Sequence, residues 1–479
     1  MNPFTPVIWD KNHTFAVLAF TVLFFAVFIF LFSNSMVNPV WVPISVGIVA
    51  WYFITLNMYS VRWQQYDTPT FTKKLFWHSL GYRVVFGLIV IFVSELTWQQ
   101  PFYVGAADAI AYHDIGVIMS EHYTNFDFDR IARFIESEAI DNTGPSLMLG
   151  VLYSFTFGSY LSGVLLYTVM GAFTVLYVYK TAQIIWGESI ARLSGLLLMH
   201  FPLALFYSSV TMKEGVVTFL MVMIVYIMTR SINGLHVKPL QWVMLVLFLA
   251  ALFFFRTPVG LGCVVLTATA FLLFRYRGSY AASLLIGIVS VSSFFIIMYY
   301  IGEIQYFVDR AASAETIGQQ RTALIMGDGR AQIVGVSILD LALAPIYLVA
   351  AFFAPFPAFV EVGTVFGTPF DQNHYNAPGR MVWNILAYFS FIGLYYTVKD
   401  KLFESFVVWG FSLGYIYILI STVTFTRERF AYIGMPLLLI FASVGIYKTK
   451  SRLLWYIYLA GLIVLILAWN VIRLGTRGL

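Results

Sequence analysis

The chain has 479 residues, of which 60% are hydrophobic and only 11% charged, against the roughly 25% charged residues of a soluble domain. So few charges exclude a water-facing surface for the several soluble domains this length would otherwise form. The net charge of +5 reads as cytoplasmic Lys and Arg of a membrane protein rather than a nucleic-acid surface, and a single cysteine, Cys263, excludes an intrachain disulfide.

In chain order, Asp10 and Lys11 precede an apolar run from Phe15 to Phe32 with no small-residue cleavage site after it, which predicts a retained first span. Thirteen spans of about 20 mostly apolar residues are expected at about 14–33, 38–57, 79–97, 160–180, 190–209, 214–230, 242–255, 259–274, 280–301, 382–398, 402–424, 431–447 and 453–472. Arg62, Lys73, Lys74, Lys180, Arg192, Arg230, Lys238, Arg275, Arg277, Lys399, Lys401, Lys448, Lys450 and Arg452 fall in alternate turns. The positive-inside rule then puts the N-terminus inside and the loops 98–144, 302–336 and 355–380 outside. Two short apolar stretches, 145–157 and 337–354, carry Pro145, Asp340 and Pro345. They read either as re-entrant helices beside a cavity or as ordinary spans. The fold class is an all-α polytopic transmembrane helix bundle forming one domain over 1–479, with an amphipathic first outer loop and no large soluble domain.

The span interiors are almost free of charge, Arg83 and Glu95 excepted. A transporter would concentrate ionisable groups at the midplane; here the unusual polar residues gather at the outer side. The first outer loop holds Asp108, Tyr112, His113 and Asp114. On a helix Asp108 and Tyr112 share a face, and a carboxylate there suits a general base for an incoming hydroxyl; the alternative is a solvated amphipathic loop. Lys213 and Glu214 follow Tyr207, Ser208 and Ser209 at a span junction. Lys213 suits a phosphate, or snorkels into water. Arg256, Arg380, Arg427 and Arg429 stand at outer span ends, where guanidinium forks suit phosphate or, for Arg427 and Arg429, an ion pair with Glu428 or Glu361. Asp371 and His374 are three apart, a weak metal signal without a third ligand. The loop 302–336, with its balanced charges, reads as a lid.

These residues resemble the GT-C superfamily of membrane glycosyltransferases, which use polyprenyl-phosphate sugar donors. Asp108 followed by Tyr112 is similar to the family's catalytic Asp in the first outer loop. Pro202, Ser208, Ser209, Lys213 and Glu214 resemble its second acidic position. RERFAYIGMP, with Arg427, Arg429 and Pro436, is similar to its Arg-aromatic-Pro segment. Ala109 stands where many members have a second acidic residue, and the large soluble domain often found at the family's C-terminus is missing. The resemblance implies an inverting transfer outside the cytoplasm, in a bacterial inner membrane with the active site facing the periplasm. In it Asp108 acts as base and Tyr112 and His113 line a sugar pocket, with Glu214 at the second acidic position. Lys213, Arg256, Arg380, Arg427 and Arg429 meet the departing phosphate. The partners implied are a polyprenyl-phosphate-linked sugar, a glycan, lipid or protein acceptor, and membrane lipid, with no nucleic acid. No cofactor is required by this scheme, and a divalent cation is left open. The run APFP, Ala354 to Pro357, is similar to polysaccharide-cluster proteins of the O-antigen polymerase or ligase type, the nearest alternative; a lipid-linked oligosaccharide flippase is a third. A base and a leaving-group clamp must flank one sugar, so Asp108 is expected within about 15 Å of the cations.

Overall fold

The computed structural model describes residues 8–33, 41–103, 107–137, 140–276, 352–354, 356–357, 359, 372–401, 403–421, 428–449 and 451–475. Every regular element among them is helical: α1 (Lys11–Phe32), α2 (Trp41–Arg62), α3 (Thr68–Trp98), α4 (Ala107–Thr124), α5 (Phe128–Ser137), α6 (Ile140–Thr156), α7 (Tyr160–Trp186), α8 (Glu188–Met199), α9 (Pro202–Tyr207), α10 (Lys213–Ile232), α11 (Pro239–Tyr276), α12 (Gln372–Lys401), α13 (Phe406–Ser421), α14 (Glu428–Tyr432), α15 (Met435–Lys448) and α16 (Leu453–Gly475). Eight of them (α1, α2, α3, α7, α10, α11, α12 and α16) are long and apolar enough to cross a membrane, and α13 and α15 are shorter apolar helices. The protein is a multi-pass membrane helix bundle. Fully exposed rings such as Phe157, and largely exposed ones such as Phe30 and Phe15, are ordinary where the solvent is hydrocarbon. The expected span 280–301 and most of 337–354 lie outside the described residues.

Helix ends follow local chemistry. Asp10 caps α1, its carboxylate accepting from the His13 amide at 2.9 Å. Pro69, Pro202 and Pro436 sit in the first turns of α3, α9 and α15, where a missing N–H costs nothing.

Three features differ from the simple span list or refine it. The expected span 190–209 is broken: α8 stops at Met199 and α9 starts at Pro202, with buried His200 between them. Residues before proline disfavour the α conformation. Buried Arg83 makes the break tolerable, its Nη1 donating to the Met199 carbonyl at 2.9 Å and to Ser79 Oγ at 2.6 Å. The first outer loop is helical, and α4 crosses α6 at small residues, with Gly116 against Leu149 and Gly150 against Met119. α11 is two helices joined at Arg256 as a hairpin. Arg256 is extended (φ −166°, ψ 91°), and the Trp242 and Phe271 rings lie 5.6 Å apart; in a straight helix their backbones would be about 43 Å apart. A Cβ on Gly260 would lie 3.2 Å from the Phe253 nitrogen, so the arms meet right behind the turn. The two expected spans 242–255 and 259–274 are therefore the two arms, and Arg256 is the tip. α12 and α15 approach closely, Gly393 facing the Phe441 carbonyl and Gly445 the Phe389 carbonyl with no room for a side chain.

Candidate active site

Four elements bring charges to one end of the bundle: the first turn of α4, the first turn of α10, the tip of α11, and α14. Arg429 Nη1 on α14 donates to Asp108 Oδ2 on α4 at 2.8 Å. Arg256 Nη1 at the α11 tip stands 3.9 Å from Glu214 Oε1 on α10. The guanidiniums of Arg256 and Arg429 both lie over the Phe430 ring, 4.2 and 4.6 Å from its centroid, so one aromatic side chain carries both cations. Tyr415 on α13 fixes that residue by donating to the Phe430 carbonyl at 2.7 Å.

Glu214 is 1% exposed, and among the described residues neither carboxylate oxygen has a hydrogen-bond partner. Nη1 of Arg256 likewise has none. Such groups lose solvation without direct compensation, and the cluster relieves this by charge alone. Burial opposes the Arg429 charge, yet the carboxylates of Glu214 and Asp108 outweigh it and raise the guanidinium pKa above its ordinary value. Beside Glu214, Lys213 donates to Asn142 Oδ1 at the start of α6, at 2.6 Å. Arg256, Arg429 and Lys213 thus stand at the same end of the bundle as the carboxylates of Asp108 and Glu214.

Of the other expected residues, Tyr112 is buried on the inner face of α4, one turn beyond Asp108. His113 is half-buried, its Nδ1 2.9 Å from the Tyr153 hydroxyl and its ring packed on Phe102 and Tyr160. Arg380 is buried in α12, one turn beyond Asn376, whose amide donates to Tyr207 Oη at 3.3 Å. Tyr207 in turn stacks on Tyr432 of α14 at 5.1 Å, which ties α12 and α9 to the helix carrying Arg429. Arg427, Asp371, the loop 302–336 and the side chains of Glu428 and His374 lie outside the described residues. Among the described residues no three His, Cys, Asp or Glu side chains are grouped as for a metal ion. Phe430 and Asn142 were not foreseen: Phe430 sits next to Arg429 in the quoted RERF run, while nothing in the sequence around Asn142 marks it.

Burial pushes the His113 pKa down, and Asp114 only partly offsets it. Burial raises that of the Tyr153 phenol, which therefore donates to a neutral imidazole. The unfolded chain takes up this proton first, near pH 6.5, so His113 contributes stability above that pH and loses it as the pH falls toward the depressed folded value. His113→Gln should therefore flatten the drop in thermal midpoint between pH 7.5 and 5.5; an unchanged drop would show that other groups dominate.

No family model and no curated protein matches the chain. Among solved structures it is similar to the archaeal oligosaccharyltransferase AglB from Archaeoglobus fulgidus, in complex with an inhibitory peptide and a dolichol-phosphate, at 14% identity and a TM-score of 0.41. The similarity covers 84% of this chain and 56% of that one, so the chain spans little more than half the length of that protein. At that score and identity, what this chain does rests on its own residues.

Proposed function

We propose that this protein is a membrane glycosyltransferase of GT-C type that moves a sugar from a polyprenyl-phosphate carrier to an acceptor hydroxyl or amide at the outer face of the membrane. The observation that carries the reading is the contact of Asp108 with Arg429, on a ring that also holds Arg256: a base beside a cation pair is what displacement of a phosphate from an anomeric carbon requires. The acceptor attacks that carbon, its proton passes to Asp108, and the bond to the carrier oxygen breaks with its electron pair on the departing phosphate. Attack opposite the leaving group inverts the anomeric centre. Arg256, Arg429 and Lys213 meet the developing phosphate charge, most effectively because they are already in place.

Arg429 links the two halves of the reaction. It engages Asp108, and an arriving phosphate competes for the same guanidinium and leaves the carboxylate to accept the proton. Arg380 and Arg427 are further phosphate-facing candidates, and Tyr112 and His113 candidates for the sugar pocket.

The test uses purified protein in detergent with a panel of polyprenyl-phosphate monosaccharides, a mixed glycan and peptide acceptor pool, and release of polyprenyl phosphate as readout. Arg256→Gln and Arg429→Gln should each slow release by about a hundredfold, the usual loss when one charge-stabilising donor is removed. Turnover unaffected in both variants would remove the phosphate clamp from the mechanism.

A further inference from the structure

A cavity lies at the other end of the bundle. α3 starts there, near Phe71, and its 31 residues carry the chain about 46 Å toward the Asp108 end. Between the end of α2, the start of α3 and the start of α8 lies a cavity of about 230 Å³, lined by Tyr59, Trp63, Phe71, Gln64, Ser189 and the Glu188–Arg192 pair among others. This is room for a small polar group, since a water molecule takes up about 30 Å³.

The wall is built and held rigidly. Arg192 Nε donates to Glu188 Oε1 at 2.6 Å, and Nη1 donates to the Trp63 and Gln64 carbonyls at 3.2 and 3.3 Å. Its Nη2 has no hydrogen bond to a described residue, so that edge of the guanidinium is available to a phosphate oxygen. Glu188 is fixed from behind by the Tyr179 hydroxyl at 2.8 Å and the Gln183 amide at 2.7 Å. Gln64 donates its amide N–H to the Ser60 carbonyl at 2.8 Å, which fixes the amide group and leaves its Oε1 as an acceptor. The wall thus offers one cationic edge, one carboxylate, neutral acceptors, the rings of Tyr59 and Trp63 and the apolar side chains of Leu193 and Leu196, with no net charge, while the Phe71 ring lies under the Arg192 guanidinium at 4.8 Å. That set matches a group bearing a phosphate and an N–H-bearing ammonium together. A quaternary ammonium would use the rings but not the acceptors.

The same helix ends carry Arg62, Lys73, Lys74, Tyr66 and Trp77, and the Lys74 ammonium sits 3.8 Å over the Tyr66 ring. Cations mixed with amphipathic rings mark headgroup depth, where a phosphate reaching the cavity comes from bilayer lipid. We propose that the cavity binds the headgroup of a zwitterionic phospholipid with a primary ammonium, phosphate on Arg192 and ammonium among Gln64, Ser189, Glu188 and the rings.

The proposal does not depend on the reaction at Asp108 and is tested without it. The full chain is reconstituted in phosphatidylcholine vesicles, and in the same vesicles with an equal mole fraction of phosphatidylethanolamine or phosphatidylglycerol. Phosphatidylethanolamine should raise the thermal midpoint by about 3 °C, as expected of a site near saturation, and one such lipid should remain bound in native mass spectrometry. Ser189→Phe fills the cavity without touching the ion pair and should abolish that increment. Gln64→Leu keeps the volume, removes the acceptor and should shrink the increment, which leaves a measurement even if the Phe variant does not fold. An equal response to phosphatidylglycerol, a preference for phosphatidylcholine, or an increment unchanged in Gln64→Leu would overturn the proposal.

Discussion

Asp108→Asn is expected to reduce glycosyl transfer by roughly a hundred- to ten-thousandfold, the range that a lost general base costs, while the protein stays folded. The separation of the two effects is what makes the variant informative. Asp108 and Arg429 are partly exposed, their side chains 44% and 24% accessible, and an ion pair so placed contributes about 1 kcal/mol or less. A thermal midpoint within a few degrees of the native one, together with lost turnover, assigns the carboxylate to chemistry. Asparagine still accepts a hydrogen bond from Arg429, so any residual rate measures positioning without basicity. Full activity would sink the role of Asp108 and favour the O-antigen polymerase or ligase reading, which leans on arginine and histidine.

Gly445→Val is expected to act in the opposite way, destabilising the fold by about 3 kcal/mol or more and lowering the yield of folded protein. No rotamer relieves the contact, because the obstacle is the backbone carbonyl of Phe389. α12 and α15 would have to separate along their closest line, and α12 carries Arg380 while α15 follows directly on α14 and Arg429. Gly461→Val in α16 is the control: that helix too is apolar, but a Cβ at Gly461 meets nothing within 4 Å. Thermal midpoints in one detergent decide the matter; equal losses for the two variants would show that glycine matters here through helix propensity and not through close approach.

The bundle was largely legible in the sequence because lipid is a demanding solvent: a segment facing it must be helical and apolar over a fixed length. The exceptions have particular causes. The break at His200 depends on Arg83, a partner more than a hundred positions away that stabilises open carbonyls which hydropathy does not register. The division of α11 into two apolar arms is visible in the sequence because Arg256 interrupts the apolar run. The site was legible as a list of residue types and not as an arrangement. Asp108 and Arg429 are 321 positions apart, and the sequence offered Glu428 and Glu361 as equally good partners for that arginine. The seat of both guanidiniums on Phe430 is invisible from spacing, since an aromatic residue in a chain this rich in phenylalanine carries no signal of its own.

The hairpin of α11 also bears on how the protein is made. Arg256 is the tip of two apolar arms, so in the proposed orientation, with the Asp108 end at the outer face, it has to be carried through the bilayer while they insert. An arginine at the centre of a membrane costs about 2.5–3.5 kcal/mol, and each Leu, Ile, Phe or Val returns only about 0.3–0.6. The leucine- and phenylalanine-rich arms flanking it supply that difference. A chain with Gln at position 256 should therefore insert more readily than the native one, and efficient biogenesis is traded against the charge that the site uses.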